Sequence, residues 1–313
     1  MKNSMDVSEN SKKLLIIGAN GFLGTAIFQV HNKKDYKGKK FRLIASDIEH
    51  TNIEKNVPFY KIDITKSDDT LKKIVKISPD IVLLTAAMTD VDQNEIEKEL
   101  ATKINTEGPK NVIKACKKTD AKLVFISTDF VFDGEKEKGN YYTEEDTPNP
   151  QSHYAKTKYN AELVLINSNV SYLVCRTAVL YGWNPLKLNF ITWILDKLQK
   201  KEKISIVTSQ INNATFVNNL AEILLKLIEK DANGLYHTAG DSALSRYEMA
   251  LKCADIFNYN KDLIIPIENF EQKAIRPKNA GLDISKLKKF IGSELKIFSL
   301  VDGLNYMKNH KII

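Results

Sequence analysis

Two short stretches of this sequence carry residue types that can move a proton. Ser127-Thr128 closes the apolar run Lys122-Leu-Val-Phe-Ile-Ser127, and Tyr154-Ala-Lys-Thr-Lys158 follows the turn-rich Thr147-Pro-Asn-Pro150. The run reads as a buried strand, and a helix can begin after the prolines. Residues at i and i+4 on a helix share a face, so Tyr154 and Lys158 project together. A phenol titrates near about 10, and an ammonium beside it favours the phenolate. The pair makes a proton donor usable near neutral pH, with Thr128 as a second hydrogen-bonding group. Spacing alone does not single it out, because Tyr36 and Lys40 repeat it in a lysine-rich stretch that reads as a solvated loop.

A second constellation lies near the N-terminus. Gly18-Ala-Asn20-Gly21-Phe22-Leu23-Gly24 joins the apolar run Lys13-Leu-Leu-Ile-Ile17 to an apolar helix. Missing side chains let the backbone turn tightly and approach a pyrophosphate, which the helix N-terminus would hold through its free amides and dipole. The spacing is Gly-x-x-Gly-x-x-Gly, a variant of the more familiar Gly-x-Gly-x-x-Gly, and its place between strand and helix gives it weight. Asp47, after the next strand, would accept hydrogen bonds from an adenosine ribose and repel a 2′-phosphate, a lean towards NAD that Arg42 and Lys55 could offset. Asp63-Ile64 is placed to meet the adenine edge; a strand-end carboxylate capping the next turn is the equal alternative.

These groups need a frame. Strands are expected at 13–17, 41–45, 59–62, 81–84, 122–127 and 172–175, with helices at 22–30, 68–77, 95–118 (Gly108-Pro109 a possible break) and from the prolines to about 167. Strands alternating with helices imply an α/β, doubly wound parallel sheet whose ligands sit at the carboxyl ends of the strands. Beyond Tyr181-Gly182 the alternation loosens, with helices at 190–200, 217–229 and 246–257 and short strands at 204–207 and 235–236. Residues 13–177 therefore read as a dinucleotide-binding domain. Residues 178–313 read as mainly a smaller C-terminal substrate-binding lobe, with 204–240 partly returning to the sheet.

Composition narrows the function classes. The chain has 313 residues, 43% hydrophobic and 27% charged, the values of a globular protein with a large core. The net charge of +7 is spread along the chain with no aromatic-basic stripe, so an anionic small molecule fits it better than nucleic acid. Cys116, Cys175 and Cys253 form neither a disulfide framework nor a CxxC pair, and the histidines show no metal-ligand spacing, so no metal site is expected. The first twelve residues read as a polar tail, and no apolar run approaches the ~20 residues of a membrane span. A cytoplasmic protein with no membrane partner is expected. Glu144-Glu145-Asp146 reads as a solvated patch.

With these residues in place, the chain resembles the extended short-chain dehydrogenase/reductase family, and within it the dTDP-4-dehydrorhamnose reductases. The matching stretches run in family order. They are Ala86-Ala-Met-Thr-Asp-Val-Asp92 with Glu95, Ile126-Ser-Thr-Asp-Phe-Val-Phe-Asp-Gly134, Tyr154-Ala-Lys-Thr-Lys158 with Glu162, Arg176-Thr177 with Tyr181-Gly182, Tyr236-His237 with Tyr247-Glu248, and Arg276-Pro-Lys-Asn-Ala-Gly-Leu-Asp283. The resemblance implies a Rossmann fold and an NADH- or NADPH-dependent reduction of the 4-keto group of a nucleotide-linked deoxy sugar. Tyr154 would give its proton to the carbonyl oxygen, and Lys158 would bind the nicotinamide ribose and depress the Tyr154 pKa. Thr128 would hold the carbonyl oxygen. Ala86 and Ala87 would pack on the cofactor, Arg176 or Thr177 near its nicotinamide end, while Thr89, Asp90 and Val91 would line the sugar site with Asp129. Arg276 would meet a diphosphate.

The plainer readings stand beside these. Thr128 and Asp129 could cap a turn, Arg176 could serve a structural ion pair, Arg276-Pro277 could be a surface turn, and Asp283 suits a helix N-cap. Asn105 is read as structural. The chain departs from the family pattern where Ala178 and Val179 replace an aromatic residue, and where Gln210-Ile-Asn-Asn-Ala-Thr215 replaces a Gly- and Pro-containing motif. Phe130 stands where dehydratases of the family carry a Glu, which counts against dehydration. Magnesium and a homodimer enter through the resemblance alone. The C-terminal pattern also resembles the regulatory β subunit of methionine adenosyltransferase, a non-catalytic alternative.

Overall fold

The apolar runs become strands buried on both faces, as a parallel sheet requires. The structure, a computed structural model, describes residues 11–33, 36, 38, 41–51, 56–184, 187–269 and 271–310. Lys40, Lys55 and the first ten residues lie outside the described residues. The chain opens with β1 (Lys13–Ile17), α1 (Phe22–His31), β2 (Arg42–Asp47), β3 (Phe59–Lys61), α2 (Ser67–Ile77) and β4 (Ile81–Leu84). Next come α3 (Val91–Ile96), α4 (Lys98–Thr102), α5 (Gly108–Thr119), β5 (Lys122–Thr128), α6 (His153–Ile166) and β6 (Tyr172–Thr177).

The helix expected over 95–118 is three pieces. Glu97, with φ −108° and ψ 56°, separates α3 from α4, and a π-helical turn over Lys103–Glu107 precedes α5. Gly108-Pro109 begins α5 instead of breaking it: a proline in the first turn forfeits no helical hydrogen bond.

The lobe begins with β7 (Leu180–Tyr181), α7 (Phe190–Gln199), β8 (Ile204–Val207), β9 (Ile211–Asn213) and β10 (Thr215–Phe216). Helix α8 (Val217–Glu229) and β11 (Gly234–His237) follow, then β12 (Ala243–Ser245), α9 (Arg246–Phe257), β13 (Ile264–Ile267), α10 (Ser285–Ile291) and α11 (Leu300–Asn309). Seven strands form one sheet in the order β3-β2-β1-β4-β5-β6-β11, every pairing parallel. The order reverses between β1 and β4, and at such a switch point the loops diverge and open a crevice.

Within 204–240 the return to the sheet is made by α8 and β11. Strand β8 stays in the lobe, paired with β13, as does β9, paired with β12. One face of the sheet packs on α1 and α8 through Ile27, Leu220 and Leu224, and the other on α2, α5 and α6 through Ile74, Val112 and Ala161. A third core, built on Ile194, Met249, Cys253 and Leu304, belongs to the lobe. All three cysteines are free and buried, and burial pushes the Cys116 thiol up to about 12.

Candidate active site

Thr128 is the last residue of β5, and Tyr154 and Lys158 lie on the first turns of α6, which starts at the Ser152 cap. The Thr128 hydroxyl donates to Asp129 Oδ1 at 3.1 Å, accepts from the Phe130 amide at 3.2 Å and hydrogen-bonds Tyr154. Phe130 packs edge-on against Tyr154, ring centroids 6.4 Å apart. Burial pushes the Tyr154 phenol up to about 12; the Asp129 charge adds to this and the Thr128 hydrogen bond opposes it. The expectation that Lys158 depresses this phenol is not met in the chain alone. Lys158 is buried and itself pushed down to about 7 by loss of water, against the pull of Glu162. Its ammonium lies 4.1 Å from the centre of the Phe125 ring and makes no hydrogen bond among the described residues.

Behind Lys158, Arg176 is spent on Glu162: Nη2 to Oε2 at 2.7 Å and Nε to Oε1 at 3.1 Å, both side chains buried. The structural ion pair is therefore what the structure gives Arg176, with its Nη1 left without a partner. Asn105, in the π-helical turn, accepts from the Met88 amide at 2.8 Å and donates to Met88 O at 3.0 Å and Thr157 Oγ1 at 3.3 Å. It ties the Ala86-Ala87 loop to α6, so the positions of Tyr154 and Lys158 are referenced to β4.

At the glycine turn the amides of Gly18 and Ala19 bond Ser46 O at 2.9 and 3.0 Å. Gly18 has φ +94°, and a Cβ there would lie 2.5 Å from Ala86 N. Helix α1 has no side-chain cap at Gly21, so its first amides are open to an anion. A bare helix end beside a tight glycine turn fits a pyrophosphate, and a buried ammonium without a hydrogen-bond partner fits ribose hydroxyls. The residues present suit a nicotinamide dinucleotide.

Asp47 Oδ2 accepts from the Asn20 amide at 2.9 Å and Oδ1 from the Ile48 amide at 2.8 Å, so the carboxylate shapes the turn as well as facing outward. Phe22 and Leu23 open α1, Leu23 inside the core. Arg42 begins β2 while Asp47 ends it, about 16 Å away along an extended strand, too far to offset that charge. Asp63 Oδ1 caps the turn at Thr65, from its amide at 2.9 Å and hydroxyl at 2.7 Å. Ile64 is buried against Gly108.

The opposite wall holds Thr89 and the first turn of α3, where Asp90 caps the helix by accepting from Gln93 N at 3.0 Å and Val91 is its first residue. Asp129 Oδ2 accepts from Asn212 Nδ2 at 2.6 Å. Burial raises the Asp129 carboxyl to about 6 against these hydrogen bonds and the Arg246 charge. Arg276 forks onto Asp92, Nη1 to Oδ1 at 3.1 Å and Nη2 to Oδ2 at 2.8 Å. A cavity of about 230 Å³ lies beside it, lined among others by Ser209, Gln210, Gln272 and Lys278. Val179, where an aromatic residue was expected by resemblance, has φ +38°, a backbone conformation rare for a β-branched residue.

Asn212, Glu162 and Arg246 were not singled out as site residues by the sequence reading. The Ser245-x-x-Glu248 capping box, present with both bonds, marks the start of α9 and could have drawn attention to Arg246. The acidic patch also has structural tasks. Asp146 holds Lys136 at 2.7 Å, and Glu144 accepts from the His237 amide at 2.8 Å. Asp283 accepts from Ser285 N at 2.7 Å in the turn ahead of α10, but the N-cap position expected of it falls to Ile284, which caps with no side-chain bond. Among the described residues no group of three or more His, Cys, Asp or Glu could hold a metal ion. No helix among them is long and apolar enough to cross a membrane.

Residues 12–301 match the family described as RmlD substrate binding domain. Methionine adenosyltransferase 2 subunit beta of Rattus norvegicus is 30% identical over 290 residues, 90% of this chain and 83% of that protein. The solved dTDP-4-dehydrorhamnose reductase of Clostridium acetobutylicum is 30% identical with a TM-score of 0.81, covering 95% of this chain and 98% of that one. That of Bacillus anthracis, in complex with NADP, is 29% identical with a TM-score of 0.81, covering 96% and 99%.

Proposed function

The chain belongs to the RmlD substrate binding domain family, and from that premise we propose that it reduces the 4-keto group of a nucleotide-linked deoxy sugar, dTDP-4-dehydrorhamnose to dTDP-L-rhamnose. The observation that carries the reading is the cluster of Thr128, Tyr154 and Lys158 beside the Ala86-Ala87 loop, at the same carboxyl end of the parallel sheet as the open glycine turn. A nicotinamide dinucleotide held on that turn, with Ala86 and Ala87 alongside, would supply hydride.

The chain's own residues then have defined tasks. The Thr128 hydroxyl holds the sugar's carbonyl oxygen, and Tyr154 delivers its proton there. A phenol at about 12 keeps that proton until charge develops on the oxygen. Lys158, buried one helical turn further along α6, would hold the ribose hydroxyls and so set the nicotinamide beside the carbonyl. Asp129 and Val91 border the sugar.

Asp47 supports NADH over NADPH, since its charge repels a 2′-phosphate, although the Bacillus anthracis relative was solved with NADP. Magnesium and a homodimer rest on the resemblance and are read from the same assay with chelator and from solution mass.

The test is oxidation of NADH and NADPH with dTDP-4-dehydrorhamnose by wild type and Tyr154→Phe. A fall of at least about a hundredfold in the variant supports the reading. Dinucleotide binding without turnover of this or related sugars sinks it. It would favour a second reading, as a subunit that partners a methionine adenosyltransferase, for which the rat relative's likeness over 90% of the chain is the support. Stable co-purification with such an enzyme is its measurement.

A further inference from the structure

Two arginines stand on the sugar side of the cleft, and their circumstances differ. Arg276 is fully engaged. Its fork onto Asp92 is joined by a bond to Ala274 O at 3.1 Å, and Asp92 Oδ1 also takes the Ala274 amide at 2.9 Å. Together these bonds fasten the 274–276 segment to the first turn of α3.

Arg246 is not engaged. It is the first residue of α9, and its amide bonds Gln210 O at 3.0 Å. Its guanidinium lies over the Phe190 ring, 4.7 Å from the centroid, and makes no hydrogen bond or ion pair among the described residues. The Gln210 that its amide bonds lines the cavity beside Arg276, and its charge reaches Asp129, so it stands near both the clamped segment and the proton-transfer end. Asp129 does not neutralise it in contact, because its two oxygens are taken by Thr128 and Asn212. A half-buried cation left this way is costly unless an anion completes its shell.

We propose that Arg246, not Arg276, is the arm that holds the diphosphate of a nucleoside-diphosphate sugar in this chain, while Arg276 clamps the wall beside it. The inference rests on the nucleotide-sugar reading above. The guanidinium is held against Phe190 with no hydrogen bond among the described residues, and a planar fork matches a pair of phosphate oxygens. The placement puts the sugar, one bond beyond the diphosphate, on the Asp129 side and so towards Thr128 and Tyr154.

The experiment is calorimetric titration of the whole chain, saturated with NADPH, with thymidine, uridine and guanosine diphosphates and with the three nucleosides. Wild type should bind one diphosphate more tightly than its nucleoside. Arg246→Gln should lose about 10- to 100-fold for the diphosphate and nothing for the nucleoside. NADPH affinity, read at the far end of the cleft, reports whether each variant is folded. Should Arg246→Gln lose NADPH too, Arg246→Lys keeps the charge without the fork and should still bind the diphosphate less tightly than wild type. Arg276→Gln should instead lower the melting temperature and weaken nucleoside and diphosphate alike. Diphosphate affinity within about twofold of wild type in a folded Arg246 variant overturns the proposal and leaves the nucleotide-sugar reading standing. Failure of wild type to bind any of the three diphosphates overturns that reading, and the proposal with it.

Discussion

Glu162 and Arg176 meet in a two-pronged ion pair, 2.7 Å at its shorter contact, one helical turn beyond Lys158 on α6. The pair is dry, so each charge depends on the other. Glu162→Gln should destabilise the protein by about 3–5 kcal/mol, because it strands a buried guanidinium. Removing both charges with Glu162→Gln and Arg176→Met should recover much of that loss. Urea titrations of the three variants check it; a single-variant cost below about 1 kcal/mol would show that the pair is not structural.

Asp129 gives the stability a pH dependence of known sign. Its folded carboxyl is raised from 3.8 to about 6, so between these values the folded state holds a proton that the unfolded state has released. Its contribution therefore falls as pH rises from about 4 to about 6 and stays flat above. Asp129→Asn removes that slope, and the gap between the two curves should change by at most about 3 kcal/mol over the window. Melting temperatures from pH 4 to 8 are the measurement. Parallel curves would rule out the raised carboxyl.

Gly24 is where α1 presses on the turn. A Cβ there would fall 2.3 Å from Gly18 O and 2.7 Å from Ala19 O, backbone atoms with nowhere to go. Gly24→Ala should cost about 1–3 kcal/mol by overpacking. It should also weaken dinucleotide binding, because the displaced atoms belong to the turn that meets the pyrophosphate. Fluorescence titration with NADH checks this, and unaltered affinity would place the pyrophosphate elsewhere.

Asp47→Asn removes the charge expected to meet a 2′-phosphate but keeps an acceptor for the Asn20 amide. A like charge at contact range costs about 1–4 kcal/mol in partly solvated surroundings. The ratio of kcat/KM for NADPH over NADH should therefore rise at least about fivefold. An unchanged ratio would remove Asp47 from cofactor choice.

Legibility in the sequence followed the range of the forces. Ile81–Leu84, Val217–Glu229 and Arg246–Phe257 were readable to the residue, because continuous or helical apolar patterning settles them locally. The break at Glu97 and the π-helical turn were not. The π-helical turn holds Asn105, whose partners Met88 and Thr157 come from separate elements that no local pattern connects. Proton-transfer residues announced themselves by type and spacing, but their electrostatics did not. Only the fold shows that Lys158 is dry and that Tyr154 gains no help from it. The Asn212–Asp129 and Arg276–Asp92 contacts join residues 83 and 184 positions apart, beyond any local pattern.

Strand β11 reaches the sheet only after the chain has built much of the lobe, then pairs with β6 through Gly234–Leu173, Leu235–Val174, Tyr236–Cys175 and His237–Arg176. The sheet's last seam is thus closed by a segment synthesised late. Formation of this edge is a long-distance search, paid in loop-closure entropy and slow by nature. Until it is complete, β6 offers unpaired amides and carbonyls to any passing strand. A chain cut after Thr177, at the apparent domain boundary, would carry that open edge permanently. Self-association is its expected fate.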